Sequence, residues 1–223
     1  MKIMMAGLFL SASVLFTSCT EDDASPATGR VKLAVATTSS STGNAAGREL
    51  VANELKFTGG TITIREIVFD GESTQSVSRT IEQIADINYA TGNISPEIIV
   101  EVPAGEYRSV NLGIELQDDS NDPSVVIEGT YTNSNEEDIP VRFEFNSGEV
   151  FEANATSVMI EAGADIVGKI TFDALDWFSV ITAEELDNAT LSAGVMVISE
   201  TSNADIFDQV ADRLDVATQA VFE

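Results

Sequence analysis

Asp118, Asp119, Ser120, Asn121 and Asp122 set five oxygen-bearing side chains in a row. Asp118, Ser120 and Asp122 alternate as the first oxygen ligands of a calcium loop do. Pro123 stands where an EF-hand needs glycine, and no glutamate closes the loop at the required distance, so the run is not an EF-hand. It predicts either an irregular calcium site built from Asp118, Asp119, Asn121 and Asp122 or a solvated hairpin tip. Asn133 to Asp138 is a second acidic tip, able to share a ligand with the first if both lie at one end of the body. Trp177, the only tryptophan, precedes Phe178. Exposed, the pair would stack on a sugar ring; flanked by apolar residues, Trp177 reads more simply as a core anchor. Asp173 and Asp176 are close enough in sequence to share a face, as a glycoside-cleaving carboxylate pair or as acceptors at a helix start. A Ser–Lys nucleophile would draw on Lys32, Lys56 or Lys169, and no motif flanks any of them.

Histidine is absent and Cys19 is the single cysteine. His-assisted triads, His zinc sites and intramolecular disulfides are therefore excluded. With no resident cofactor indicated, the one metal to expect is a hard, oxygen-bound ion such as calcium. Lys+Arg number 11 and Asp+Glu 37, for a net charge of −26. Such a chain has no basic patch for nucleic acid and does not lie flat on anionic lipid.

The thiol of Cys19 has a use of its own. Lys2 is followed by an apolar, uncharged run from Ile3 to Phe16, then Thr17, Ser18 and Cys19. The run is short for a transmembrane helix and fits the hydrophobic region of a secretory signal. Leu15-Phe16-Thr17-Ser18-Cys19 resembles the bacterial lipobox, with Phe16 at the position usually held by leucine. The resemblance implies cleavage before Cys19, a thioether to diacylglycerol and acylation of the new amine, for example by palmitate. Two or more acyl chains, at about 0.8 kcal/mol per buried methylene, give a lasting membrane anchor. Glu21-Asp22-Asp23 resembles the export signal of Bacteroidota surface lipoproteins; the same charges also suit a solvated tether. The expected organisation is a signal peptide at 1–18, a lipidated tether at 19–29 and a β-rich body at 30–223, displayed on the outer face of the outer membrane.

The elements that position the candidate residues are mostly strands. Val110, Leu112, Ile114 and Leu116 alternate with polar neighbours, as do Ile139, Val141, Phe143 and Phe145. Val125, Ile127 and Tyr131 share a face, and so do Ile166, Ile170 and Phe172. Val31 to Val35, Ile81 to Ile87 and Ile98 to Val102 are further strand candidates. Ile62 and Ile64 switch phase to Ile67 and Phe69, which predicts a bulge at Arg65-Glu66. Turn signals at Gly59-Gly60, Asp70-Gly71, Pro103 to Gly105 and Asn146 to Gly148 separate short strands, the spacing of an antiparallel sandwich. Thr182 to Glu185 is a capping box. Ser202 is expected to cap a helix from Asn203 that buries Ile206, Phe207, Val210 and Leu214. Val195 to Ile198 and Ala217 to Phe222 read as final strands.

Ile99-Val100-Glu101-Val102-Pro103-Ala104-Gly105-Glu106-Tyr107, Ile170 to Asp173 and Asp176-Trp177-Phe178 give the body a resemblance to uncharacterised Bacteroidota lipoprotein domains with a prealbumin-like β-sandwich. The resemblance implies a mainly β, antiparallel, prealbumin- or Ig-like sandwich with one or two short C-terminal helices, and carries no activity. Three functions follow as expectations. The first is a non-catalytic surface binding or accessory module whose partner is a glycan, a cation or an envelope protein. The second is a fimbrillin-like pilin subunit matured after Arg30 or Arg48. The third is a carboxylate-based glycan hydrolase.

Overall fold

The computed structural model describes residues 27–38, 54–214 and 219–222. Cys19, Glu21, Asp22, Asp23 and Arg48 lie outside the described residues. The strands, in chain order, are β1 (Thr28–Thr37), β2 (Glu54–Glu72), β3 (Ser76–Asn88), β4 (Ile94–Ser95), β5 (Ile99–Pro103), β6 (Gly105–Leu116), β7 (Val125–Thr132), β8 (Asp138–Phe145), β9 (Val150–Ile160), β10 (Asp165–Phe172), β11 (Met196–Ile198) and β12 (Gln219–Phe222). The helices are α1 (Ala174–Trp177), α2 (Ala183–Asp187) and α3 (Ala204–Ala211), with a 3₁₀ turn over Phe178–Val180. The protein is mainly β with few, short helices.

A small sheet has the order β12-β10-β1-β5. A large sheet runs β11-β8-β7-β2-β3-β4, and β6 and β9 branch from it through β2. The branch follows from the length of β2. Its first half pairs with β7, from Glu54↔Thr132 to Ile62↔Val125. Its second half pairs with β6, from Ile64↔Leu116 to Glu72↔Ser109. β6 and β7 thus form one antiparallel partner of β2, interrupted where the acidic run Asp118–Asp122 loops out. The register shifts at this point, between Ile64 and Glu66, against both β3 and β6. The phase switch in the sequence is this bulge: against β6 Arg65 is the extra residue, and against β3 the extra residue lies on β3, where Gln83 and Ile84 face Arg65 alone.

The expectation of a purely antiparallel fold is corrected at two places. β1 runs parallel to β10, and β11 runs parallel to β8. Each pair joins segments far apart in sequence, as a parallel pair requires, because a tight hairpin can join only antiparallel neighbours.

Alternation dictates the core. Val110, Leu112, Ile114 and Leu116 of β6 are all buried, as are Ile62, Ile64, Ile67 and Phe69 of β2. Phe172 of β10 stands edge-on to Phe151 of β9, with ring centroids 5.2 Å apart. A Cβ on Gly168 of β10 would come within 2.5 Å of Leu112 Cδ2 in β6, so glycine is what lets the two sheets approach there. The sequence Val102 to Tyr107 carries the chain from β5 in the small sheet to β6 in the large one. The Tyr107 hydroxyl donates to the Pro103 carbonyl at 2.7 Å and closes that crossing.

β9 is a strand that the alternation pattern does not announce. Phe151 is buried at one end and Ile160 at the other, on opposite phases. Ser157, with φ 58°, absorbs the switch between them. The capping box forms as expected: the Thr182 hydroxyl accepts from the Glu185 amide, and the Glu185 carboxylate accepts from the Thr182 amide. The start of α3 does not. Asn203, not Ser202, is the cap residue, in the left-handed conformation at φ 51°. Its side chain bonds the Thr190 amide, the Thr190 carbonyl and the Val197 carbonyl, so it joins loops rather than capping the helix.

Candidate functional site

The acidic run closes on Thr63 of β2. The Thr63 N–H donates to the Ser124 carbonyl at 2.7 Å, and the Gln117 N–H donates to the Thr63 carbonyl at 3.0 Å. One strand residue therefore holds both feet of the loop. The Ser124 hydroxyl reaches the Phe145 carbonyl at 3.2 Å, and Asn146 Nδ2 donates to the Ser120 carbonyl at 3.2 Å. The loop thus also leans on the turn after β8.

At the mouth of the loop stands Arg65, aimed there by the bulge. Its Nη2 lies 2.5 Å from Glu115 Oε1, and its Nη1 lies 3.2 Å from Asp118 Oδ1 and 3.0 Å from Asp119 Oδ1. The hydrogen bond that Arg65 donates to Glu115 leads the effects that raise the guanidinium pKa above its usual value. Arg65 Nε is buried without a hydrogen-bond partner among the described residues. Glu115, Asp118 and Asp119 thus share the Arg65 guanidinium as their cation. Asn121 and Asp122 stand further along the loop, exposed, and the Asp122 amide bonds the Ser120 hydroxyl at 3.2 Å. Of the four expected calcium ligands, Asp118 and Asp119 pair with Arg65, and Asn121 and Asp122 lie outside that pairing. Among the described residues, no group of three or more acidic or thiol side chains is placed to hold a metal ion. Arg65 is the site residue that sequence reasoning missed. Its signal was the phase switch, which marks a bulge but not the direction of its side chain.

The second acidic tip joins β7 to β8, at the opposite end of β7 from the Asp118 loop. Eight residues of strand, about 26 Å, separate the two. They do not form one site. Asn133, almost buried, organises this tip: its Oδ1 accepts from the amides of Asn135 and Glu137, both at 2.9 Å. Asp187 at the end of α2 accepts from the Ser134 amide and from the buried Tyr131 hydroxyl, at 3.3 and 2.8 Å. Hydrogen bonding by the Ser134 side chain, then by the Tyr131 hydroxyl, holds its carboxyl below the usual range, with the Ser134 amide adding the least. Asp187 thereby fastens α2 to β7 and the tip, while Asp138 and Glu137 accept from Thr132 and Asn133 within the tip itself.

Trp177 is a core residue, the simpler of its two readings, and not a sugar-stacking surface. Trp177 is 0 % exposed and stands edge-on to Phe172, centroids 6.2 Å apart. Its Nε1 has no hydrogen-bond partner among the described residues. Trp177 ends α1 and precedes the 3₁₀ turn that begins at Phe178, and the core claims the whole ring. Asp173 caps α1 by accepting from the Asp176 amide at 3.1 Å. Asp176 instead pairs with Arg213 Nη2 at 3.3 Å. The two do not face one another across a cleft. Lys32 is engaged by Asp165 at 2.8 Å, and that bond is the first cause of its raised pKa.

Compared with known proteins, the chain matches no family model, no curated sequence and no solved structure. Among the described residues, no helix is long and apolar enough to cross a membrane.

Proposed function

We propose that the chain is a lipid-anchored protein of the bacterial outer membrane, displayed on the cell surface, whose body is a non-catalytic binding module. The observation that carries this reading is the order Lys2, apolar run, Thr17-Ser18-Cys19, Glu21-Asp22-Asp23, followed by the first strand at Thr28. From Cys19 to Thr28 a fully extended chain spans at most about 32 Å, so a lipid on Cys19 would keep the body close to the bilayer. We read the two sheets, joined by Phe151–Phe172 and Gly168–Leu112, as a prealbumin-like β-sandwich. The charged groups brought together in the described residues support a non-catalytic role. Glu115, Asp118 and Asp119 neutralise Arg65, Glu185 caps a helix, and Asp187 joins elements, so none is poised as an acid–base pair. Metabolic labelling with an alkynyl fatty acid tests the anchor: Cys19→Ser must lose the label and release the protein from the membrane. Protease treatment of intact cells tests display, and a protected chain refutes it.

A pilin is the second reading, favoured by one observation. β1 sits inside the small sheet, bonded to β10 on one side and β5 on the other. Loss of β1 after cleavage would open that sheet for an incoming strand. Arg30 lies within β1 and pairs with Asp165 at 2.6 Å, which points to Arg48 as the maturation site. N-terminal sequencing of surface material decides between them: a start after Arg48 supports the pilin, and a blocked, lipidated Cys19 supports the anchored module.

A further inference from the structure

Where β2, β6 and β9 turn their apolar residues to the core, their alternate residues form an open polar face. Four rows cross it in register: Glu72–Ser109–Thr156, Asp70–Asn111–Asn154, Val68–Gly113–Glu152 and Glu66–Glu115–Val150. Neighbouring side chains within a row are about 4.8 Å apart, and the four rows span about 20 Å along the strands. Two depressions of about 590 and 150 Å³ lie on this face and share Asp70 and Asn111. They make one trough. Gly113 lies on its floor because it has no side chain to fill it. A Cβ there would stand 3.8 Å from both Val150 Cγ1 and Asn111 Oδ1, so the space is real and the backbone does not require glycine.

We propose that this trough binds a neutral, hydroxyl-rich saccharide. Neither depression is lined by Lys, Arg or an aromatic residue, so the trough offers nothing to a phosphate, a nucleic acid or an acyl chain. It offers carboxylates, amides and hydroxyls on adjacent strands. Asn111 Nδ2 donates to Asn154 Oδ1 at 3.1 Å, which fixes the orientation of both amides. The Asn154 amino group and the Asn111 carbonyl oxygen keep capacity for a ligand. Carboxylates accept from sugar hydroxyls, and an amide both donates and accepts, so a pair of vicinal hydroxyls can bridge two strands. The 20 Å length suits a short oligosaccharide better than a single ring. Without an aromatic platform each copy binds weakly, and many copies on one surface gain avidity. The proposal deepens the reading of a binding module, but binding itself does not depend on where the protein sits.

The test uses the full-length chain extracted in detergent, against neutral glucan, mannan and xylan oligosaccharides at up to about 10 mM, a range that captures millimolar affinity. At least one is expected to shift the amide resonances of Asn111 and Asn154 in a saturable way. Asn111→Ala and Asn154→Ala should each weaken that binding about tenfold. Gly113→Gln, which fills the floor, should abolish it with the melting temperature kept. No saturable shift with any of the three classes overturns the proposal. So does binding that survives Gly113→Gln, or shifts produced by calcium alone. Failure of the lipid-labelling experiment would overturn the anchored reading and leave this result standing.

Discussion

Trp177 gives the sharpest test of how the core is built. Truncation of the fully buried ring in Trp177→Ala is expected to cost about 3–5 kcal/mol. The edge-on contact with Phe172 contributes about 0.5–1.5 kcal/mol beyond area burial in pairs of this kind. A domain of this type has about 5–15 kcal/mol in total, so Trp177→Ala should leave the protein marginal. Trp177→Phe separates two effects. It leaves a small cavity, roughly 40 Å³ at about 24 cal/mol per Å³, or about 1 kcal/mol. It also removes an indole N–H that is buried without a partner among the described residues, a burden of about 1–3 kcal/mol. The two nearly cancel, so Trp177→Phe should lie within about 1 kcal/mol of wild type. Urea unfolding followed by circular dichroism measures both variants. Because the chain has one tryptophan, its own fluorescence is an independent check: blue-shifted emission, unresponsive to iodide until unfolding. A red-shifted, quenchable signal would place the ring in water and return it to the candidate sugar contacts. A Trp177→Phe variant as unstable as Trp177→Ala would show that the N–H has a partner.

Replacing Arg65 with Met should loosen the loop it anchors: amide exchange across Asp118 to Asp122 should rise severalfold at low salt, and less at high salt as the freed carboxylates are screened; unchanged exchange would separate Arg65 from loop order. Asn203→Gly keeps the left-handed backbone but removes three side-chain bonds, so a loss of about 1–3 kcal/mol in thermal or urea unfolding is expected; a neutral effect would assign the residue's value to conformation alone. Glu185 is held near pKa about 2 by Gln209 and then Thr182, against 4.5 for the free group. Its folded form is thus the poorer proton binder. The stability it contributes is complete above pH 4.5 and is lost as pH falls from there toward 2. Glu185→Gln should therefore remove about one proton from the uptake that accompanies acid unfolding in this window, measured by urea midpoints at successive pH values; an unaltered pH slope would contradict the capping geometry.

The strands with clean period two, such as β6 and β8, were legible because one face meets the core and the other water. Even the bulge at Arg65 was legible, since a phase switch within an apolar run has few other causes. β9 escaped for the same physical reason in reverse: Ser157 changes its phase, and small residues leave no long apolar stretch to detect. The parallel pairs β1–β10 and β8–β11 could not be read locally. Each is a contact between distant segments, chosen by how the whole sheet closes.

The candidate sites show a similar division. The acidic loop looked like a cation site because its carboxylates are adjacent in sequence, yet the cation they meet comes from a strand more than fifty residues earlier. Arg65 reaches them because β6 and β7 are one partner of β2 broken at the bulge. The polar trough is the opposite case. Asp70, Asn111 and Asn154 are unremarkable in sequence, each an outward residue on its own strand. Only the register of β2 against β6, and of β6 against β9, brings them into one row. Proximity across strands thus supplied both the Arg65–Glu115 pair, which neutralises, and the Asn111–Asn154 pair, whose remaining amide groups keep capacity to bind. In a chain this acidic, a carboxylate beside another is expected to find a cation or a helix start. An amide pair such as Asn111–Asn154 has no such debt to settle, which is why the search for a ligand begins on that row.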